Sequence, residues 1–102
     1  MKIGILCACA PEFEPYRATL GGESTFIHGM QRTDGVLCGH EISAVFCGIG
    51  KVNAALGAMT LIRDCGADRI IMSGVAGAIR RGVHIGQCVM ITDCIYHDLS
   101  TQ

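Results

Sequence analysis

The sequence has no tryptophan, and two tyrosines and three phenylalanines are all its aromatics in 102 residues. It therefore lacks the rings for a stacking platform of the kind that binds single-stranded nucleic acid or sugars. Charge of one sign is scarce too. Nine acids offset eight bases for a formal net charge of −1, and no basic run is longer than Arg80-Arg81. Nothing here gives a nucleic-acid or anionic-membrane surface its electrostatic footprint. No apolar stretch approaches the roughly 18 residues that span a bilayer. There is no internal repeat, low-complexity tract or linker. Half the residues are hydrophobic and only 17% are charged, which excludes disorder. The chain is one ordinary domain at most, or a piece of a larger one.

Near the start, Ala8-Cys9-Ala10 mimics a signal cleavage site, but the apolar run before it is short, and Glu12 and Glu14 follow at once. The segment reads as a buried strand, and the protein is expected in the cytoplasm. Seven cysteines (7, 9, 38, 47, 65, 88 and 94) include no C-x-x-C pair, and their number is odd. Neither a disulfide framework nor structural zinc fits that pattern, so no metal and no cofactor is expected. Cys7, Cys9, Cys47, Cys88 and Cys94 lie in apolar runs, where a thiol acts as a small hydrophobe.

Residues 2–9 carry apolar or small side chains at both parities and predict a strand buried on both faces. Pro11 suits a first helical turn and Glu12 and Glu14 its positive end, so a short helix should run to Leu20 and stop at Gly21-Gly22. Residues 24–30 and 35–47 read as antiparallel strands, with turn chemistry at Asp34-Gly35 and at Cys38-Gly39-His40. From Lys51 a helix is indicated by Val52, Ala55 with Leu56, Met59 and Ile62, closed by Gly66. Residues 69–73 predict a strand ending in Gly74-Val75-Ala76-Gly77-Ala78, and Gln87 to Tyr96 another. The order β-α-β-β-β-α-β-β is an α/β architecture with a mixed, mostly buried sheet flanked by helices. Strands this apolar need helices on both sides, and only two are evident. The expectation is a chain that associates heavily or forms the front of a longer fold.

Several segments bear on chemistry. Gly48-Ile49-Gly50 is not a dinucleotide fingerprint, since position 53 is Asn, and Gly50-Lys51 is not a P-loop, since Val52 follows. Both Gly48-Ile49-Gly50 and Gly74-Val75-Ala76-Gly77 nevertheless lie just past predicted strand ends, where open α/β sheets bind ligands. Glycine there lets backbone N–H groups approach a substrate, or simply makes a tight turn. Glu12 occupies a third such position and could orient or deprotonate a water. Its alternative role, shared by Glu14, is interaction with the helix dipole. His97-Asp98 follows the last predicted strand as a ligand pair or a solvated turn.

The run Cys47-Gly48-Ile49-Gly50-Lys51-Val52-Asn53-Ala54-Ala55 resembles the nucleoside phosphorylase/nucleosidase superfamily, specifically its 5′-methylthioadenosine/S-adenosylhomocysteine nucleosidases. The opening Met1 to Ile5 with Glu12-Phe13, the turn Gly74 to Ala78, and Tyr96-His97-Asp98 are similar to that family's other motifs, in the same order along the whole chain. Three positions depart: Val75 stands where the family has Ser or Thr, Ala78 where it has Gly, and Cys47 where it has Ser.

The resemblance implies a phosphorylase/hydrolase-like fold and hydrolysis of a purine nucleoside's N-glycosidic bond, within methionine salvage. It implies Glu12 as the catalytic carboxylate, with Cys9, Ile49, Val75, Ala76 and Gly77 binding substrate, and a homodimer as the intact form. Family members continue into a second half that supplies the adenine loop, a Met-Glu grip on the ribose and an Asp that protonates the purine. Residues 1–102 are thus expected to be the N-terminal part of a single such domain, incompetent by itself. Open alternatives are a futalosine hydrolase, a purine nucleoside phosphorylase, and a non-catalytic nucleoside-binding or dimerising half-domain.

Overall fold

The computed structural model describes residues 1–96. The chain runs β1 (Lys2–Cys7), α1 (Ala10–Thr19), β2 (Thr25–Ile27), β3 (Met30–Leu37), β4 (His40–Phe46), α2 (Lys51–Arg63) and β5 (Arg69–Met72). The five strands form one mixed sheet in the order β2-β3-β4-β1-β5. β4, β1 and β5 are parallel, and β2-β3-β4 is an antiparallel meander.

Alternation along β1 and β4 divides the core between the sheet's two faces. Ile5, Cys7, Ile42 and Ala44 pack with Phe13 and Leu20 of the α1 region. Leu6, Val45 and Cys47 pack with Leu61 and Cys65 of the α2 region. Both faces of β1 and β4 are therefore buried along Gly4–Cys7 and Ile42–Val45. The Phe13 ring is buried and lies 6.1 Å from that of Phe46.

Helix α2 forms from Lys51 as expected, with its apolar stripe turned outward. The stripe Val52, Leu56, Met59 and Ile62 that locates the helix is exposed, and the buried positions are Gly57, Thr60 and Leu61. The reason is steric. A Cβ on Gly57 would lie 2.5 Å from Leu6 Cδ1 and 2.7 Å from Cys47 Cβ, so the side without a side chain comes closest to the sheet.

Asp34-Gly35 is not a turn but the interior of β3. Its turn-like residues serve packing and pairing instead. A Cβ on Gly35 would meet Leu20 at 3.0 Å, and Asp34 accepts hydrogen bonds from Arg32 and from the buried Ser43 hydroxyl. The reversals are His28-Gly29 and Cys38-Gly39, where all four residues take φ between +50° and +80°. Two consecutive left-handed residues are what a tight two-residue hairpin needs.

The strand expected at 87–96 is absent. Residues 73–96 form neither helix nor strand, and Val89, Met90, Ile91 and Ile95 are exposed. Apolar content marks a segment able to join a sheet, but a strand exists only with a ladder partner, and this segment pairs with none of the five. Cys88 and Cys94 are accordingly exposed rather than core thiols. The Lys51 ammonium lies 4.4 Å from the Tyr96 ring centroid, which brings the end of the segment beside α2.

Candidate active site

Because β4, β1 and β5 are parallel, their carboxyl ends open on one edge of the sheet, with Cys7 level with Phe46 and Leu6 with Met72. Three connections leave that edge: Ala8-Cys9 into α1, Cys47 to Gly50 into α2, and the stretch from Ser73 onward. Cys9 is the N-cap of α1, which places Glu12 in its first turn.

The Glu12 carboxylate bridges two of these connections. Oε1 accepts the Ala8 N–H at 3.1 Å, and Oε2 accepts the Val75 N–H at 3.0 Å from 63 residues away. The Val75 N–H is the largest influence holding this carboxyl below its ordinary value of 4.5. Partial burial opposes it, and the Ala8 N–H and a hydrogen bond from the Cys9 thiol add to it. Gly74 makes the approach possible, since a Cβ there would lie 2.6 Å from Glu12 Oε2. Glu14 behaves differently. It forms a two-pronged pair with Arg17, at 2.5 and 3.0 Å on the helix surface, and that guanidinium lowers its pKa.

Glu12, Cys9 and Val75 thus meet at one place. Ala76 and Gly77 continue from Val75 along the exposed rim, where the Val75 side chain is 88% exposed. Ile49 leaves the same sheet edge from the β4 side and is 79% exposed, its carbonyl turned to Asn53 rather than to Glu12. His97 and Asp98 lie outside the described residues.

Three residues of this rim escape sequence reasoning. Asn53 donates from Nδ2 to the Ile49 carbonyl at 2.9 Å and fills the space beside Gly48, bracing a bend whose Gly48 and Gly50 have φ of +94° and +107°. The sequence places Asn53 in the run that resembles the nucleosidases, but not as the brace of the bend. Tyr16 and Ser73 share a hydrogen bond of 2.6 Å. The spacing of Tyr16 four residues after Glu12 was the clue available for it.

Buried thiols underlie the carboxylate. Burial, and then the nearby Glu12 charge, push Cys7 up to about 12, and burial also raises Cys47. Both are neutral at physiological pH and inert as nucleophiles. They belong to opposite faces of the sheet, so they do not form a redox pair. Among the described residues, no group of three or more His, Cys, Asp or Glu side chains could hold a metal ion.

Enclosed volume lies elsewhere. A groove of about 520 Å³ runs between the β2–β3 turn and α2, lined by Met30, Leu56 and Met59 and edged by the His28–Asp64 pair at 3.0 Å. Neither Glu12 nor Val75 lines it. The carboxylate rim is open, and its chemistry, rather than its depth, makes it the candidate site.

A mixed α/β sheet with a held carboxylate and glycine-rich bends at the carboxyl edge of its parallel strands is the arrangement of an open-sheet α/β protein, and that edge is where such sheets generally take ligands. The chain belongs to the phosphorylase superfamily, whose match covers residues 2–102. It is 32% identical over 100 residues to a 5′-methylthioadenosine/S-adenosylhomocysteine nucleosidase of Bacillus cereus (strain B4264), covering 97% of this chain and 43% of that relative. Among solved structures, the nucleosidase of the same name from S. pneumoniae, with a transition-state inhibitor, superposes with a TM-score of 0.78 at 32% identity. That match covers 84% of this chain and 38% of that one. A futalosine hydrolase of Helicobacter pylori superposes with a TM-score of 0.67 at 34% identity, covering 76% and 34%. The chain thus spans less than half the length of these relatives.

Proposed function

We propose that this chain supplies the water-side half of a purine-nucleoside N-glycosidase that hydrolyses 5′-methylthioadenosine or S-adenosylhomocysteine to adenine and a thioribose. The observation that carries this reading is the Glu12 carboxylate, held ionised at the rim by N–H groups from two separate connections. Breaking the bond between ribose and purine builds positive charge on the sugar and negative charge on the base. A carboxylate beside an attacking water and an acid at the base then divide the work, as in glycoside hydrolysis. In this reading Glu12 orients the water and takes its proton as the C–N bond breaks. Val75, Ala76 and Gly77 line sugar and base, while Ile49 and Cys9 offer apolar contact to the 5′-thio group. The base-side acid is assigned to the part of the relatives that this chain does not span, so the 102-residue chain alone is expected to release no adenine.

Hydrolysis is favoured over phosphorolysis because the Gly48-Ile49-Gly50-Lys51-Val52-Asn53 bend resembles that of nucleosidases, and two of the arginines are engaged away from the rim. Arg17 is bound to Glu14 and the Gly22 carbonyl, and Arg32 to Asp34. Futalosine hydrolysis is the second reading, favoured by the missing hydroxyl at Val75 and by the Helicobacter pylori likeness. In the proposed whole protein, a homodimer covers the exposed apolar stripe of α2. No helix among the described residues is long and apolar enough to cross a membrane. The proposed setting is the cytoplasm.

The test is base release from 5′-methylthioadenosine, S-adenosylhomocysteine and futalosine, with and without phosphate, by the chain continued to its relatives' length. Adenine release in phosphate-free buffer is expected. A strict phosphate requirement would replace the reading with phosphorolysis, cleavage of futalosine alone would establish the second reading, and binding without cleavage would leave a nucleoside-binding protein.

A further inference from the structure

The Val75 N–H reaches Glu12 from a segment with little else to hold it. β5 is a four-residue edge strand, and from Gly74 to Arg81 every residue is exposed. Two hydrogen bonds anchor the start of the segment, and both involve Ser73. Its N–H extends the sheet ladder to the Leu6 carbonyl at 3.1 Å, and its hydroxyl meets that of Tyr16 at 2.6 Å. Tyr16 lies one helical turn beyond Glu12, so both side chains leave the same side of α1. One takes the Ser73 hydroxyl and the other the Val75 N–H, two residues later. Gly74 between them has no side chain to hold the strands of this clamp apart.

We propose that Tyr16 and Ser73 are a positioning pair, whose hydroxyl–hydroxyl bond fixes the turn after β5 against α1 and so presents the Val75 N–H to the Glu12 carboxylate. For catalysis this rests on Glu12 being the water-side base, but the geometry itself does not. The ladder bond alone fixes Ser73 along one line of the sheet edge. The Tyr16 bond adds a second attachment that stops the segment from pivoting away from α1. Other groups facing Glu12 are the thiols of Cys9, Cys7 and Cys47. None of these is cationic, so hydrogen bonds, the Val75 N–H first among them, lower this carboxyl, and the Val75 bond depends on the clamp.

The experiment needs no substrate, which separates its outcome from that of the nucleosidase reading. In the 102-residue chain, hydrogen exchange of the Val75 and Ala8 amides and the titration of the Glu12 carboxyl are followed by NMR. Wild type is compared with Tyr16→Phe, Ser73→Ala and Ser73→Thr. Losing one hydrogen bond is expected to speed Val75 exchange about tenfold in Tyr16→Phe and Ser73→Ala. The Glu12 midpoint should rise toward its ordinary value in both, while Ala8 exchange holds and Ser73→Thr retains wild-type behaviour. Should Tyr16→Phe unfold the chain, the Ala and Thr variants at Ser73 decide the matter. Unchanged Val75 exchange and Glu12 midpoint would overturn the proposal. So would equal acceleration at Ala8 and Val75, which marks general loosening, or a Thr variant that behaves like the Ala variant.

Discussion

At the scale of residues, Gly74 separates a bound from an unbound carboxylate by one atom. Its substitution by Ala places a Cβ 2.6 Å from Glu12 Oε2, so the carboxylate must leave the Val75 N–H. The group is depressed in the folded chain, chiefly by that bond. Its contribution to stability is therefore complete above the ordinary carboxyl value of 4.5 and is lost as pH falls through the folded value. Gly74→Ala should raise the Glu12 midpoint and flatten the loss of stability between that value and stronger acid. Carboxyl titration alongside acid denaturation of both proteins checks this. An unmoved midpoint would mean that Val75 does not govern Glu12.

At the scale of elements, the closeness of α2 to the sheet is set by Gly57. Gly57→Ala adds a methyl group where Leu6 and Cys47 leave no room, and overpacking of this kind costs about 1–3 kcal/mol. Urea unfolding should show a lower midpoint for this variant, against the mild gain an alanine brings at an exposed helical position. The same helix shows where sequence reading stops. Its 3.6-residue period is plain from Val52, Leu56, Met59 and Ile62, but a period says only that one side is apolar. The side that meets the sheet carries Gly57, Thr60 and Leu61: Gly57 allows the close approach and Leu61 supplies the buried apolar contact. β1 was legible because apolar and small residues at both parities leave no polar face to misread, and β4 because Ile42, Ala44 and Phe46 alternate. Asp34-Gly35 misled because turn propensity is local, whereas Gly35 answers to Leu20 across the sheet. At the site, the position of Glu12 followed from chain order. Its donors did not, because the Val75 N–H is a backbone group whose aim no side chain encodes. Tyr16 and Ser73 were silent because their bond spans 57 residues.

At the scale of the whole molecule, the outward stripe of α2 and the groove beside it leave apolar surface that the described residues do not cover. Val52, Leu56, Met59 and Ile62 are each more than half exposed, and contiguous apolar patches of this sort mark association surfaces. Met59→Glu should therefore shift the protein toward monomer in sedimentation while leaving its circular dichroism unchanged. A wild-type monomer would remove α2 from the proposed interface. Under the proposed function, this chain carries one side of a two-sided site. The water side can be examined separately from the base side.

The most direct measurement is therefore single-turnover release of adenine from 5′-methylthioadenosine by the chain continued to its relatives' length, comparing Glu12→Gln with Glu14→Gln. Glu12→Gln should slow the step by ~10²–10⁴-fold, the usual contribution of a positioned general base. Glu14→Gln should release adenine at the unsubstituted rate, because its carboxylate serves only Arg17 on the helix surface. Near-normal release by Glu12→Gln would contradict the account and return that carboxylate to capping the first turn of α1.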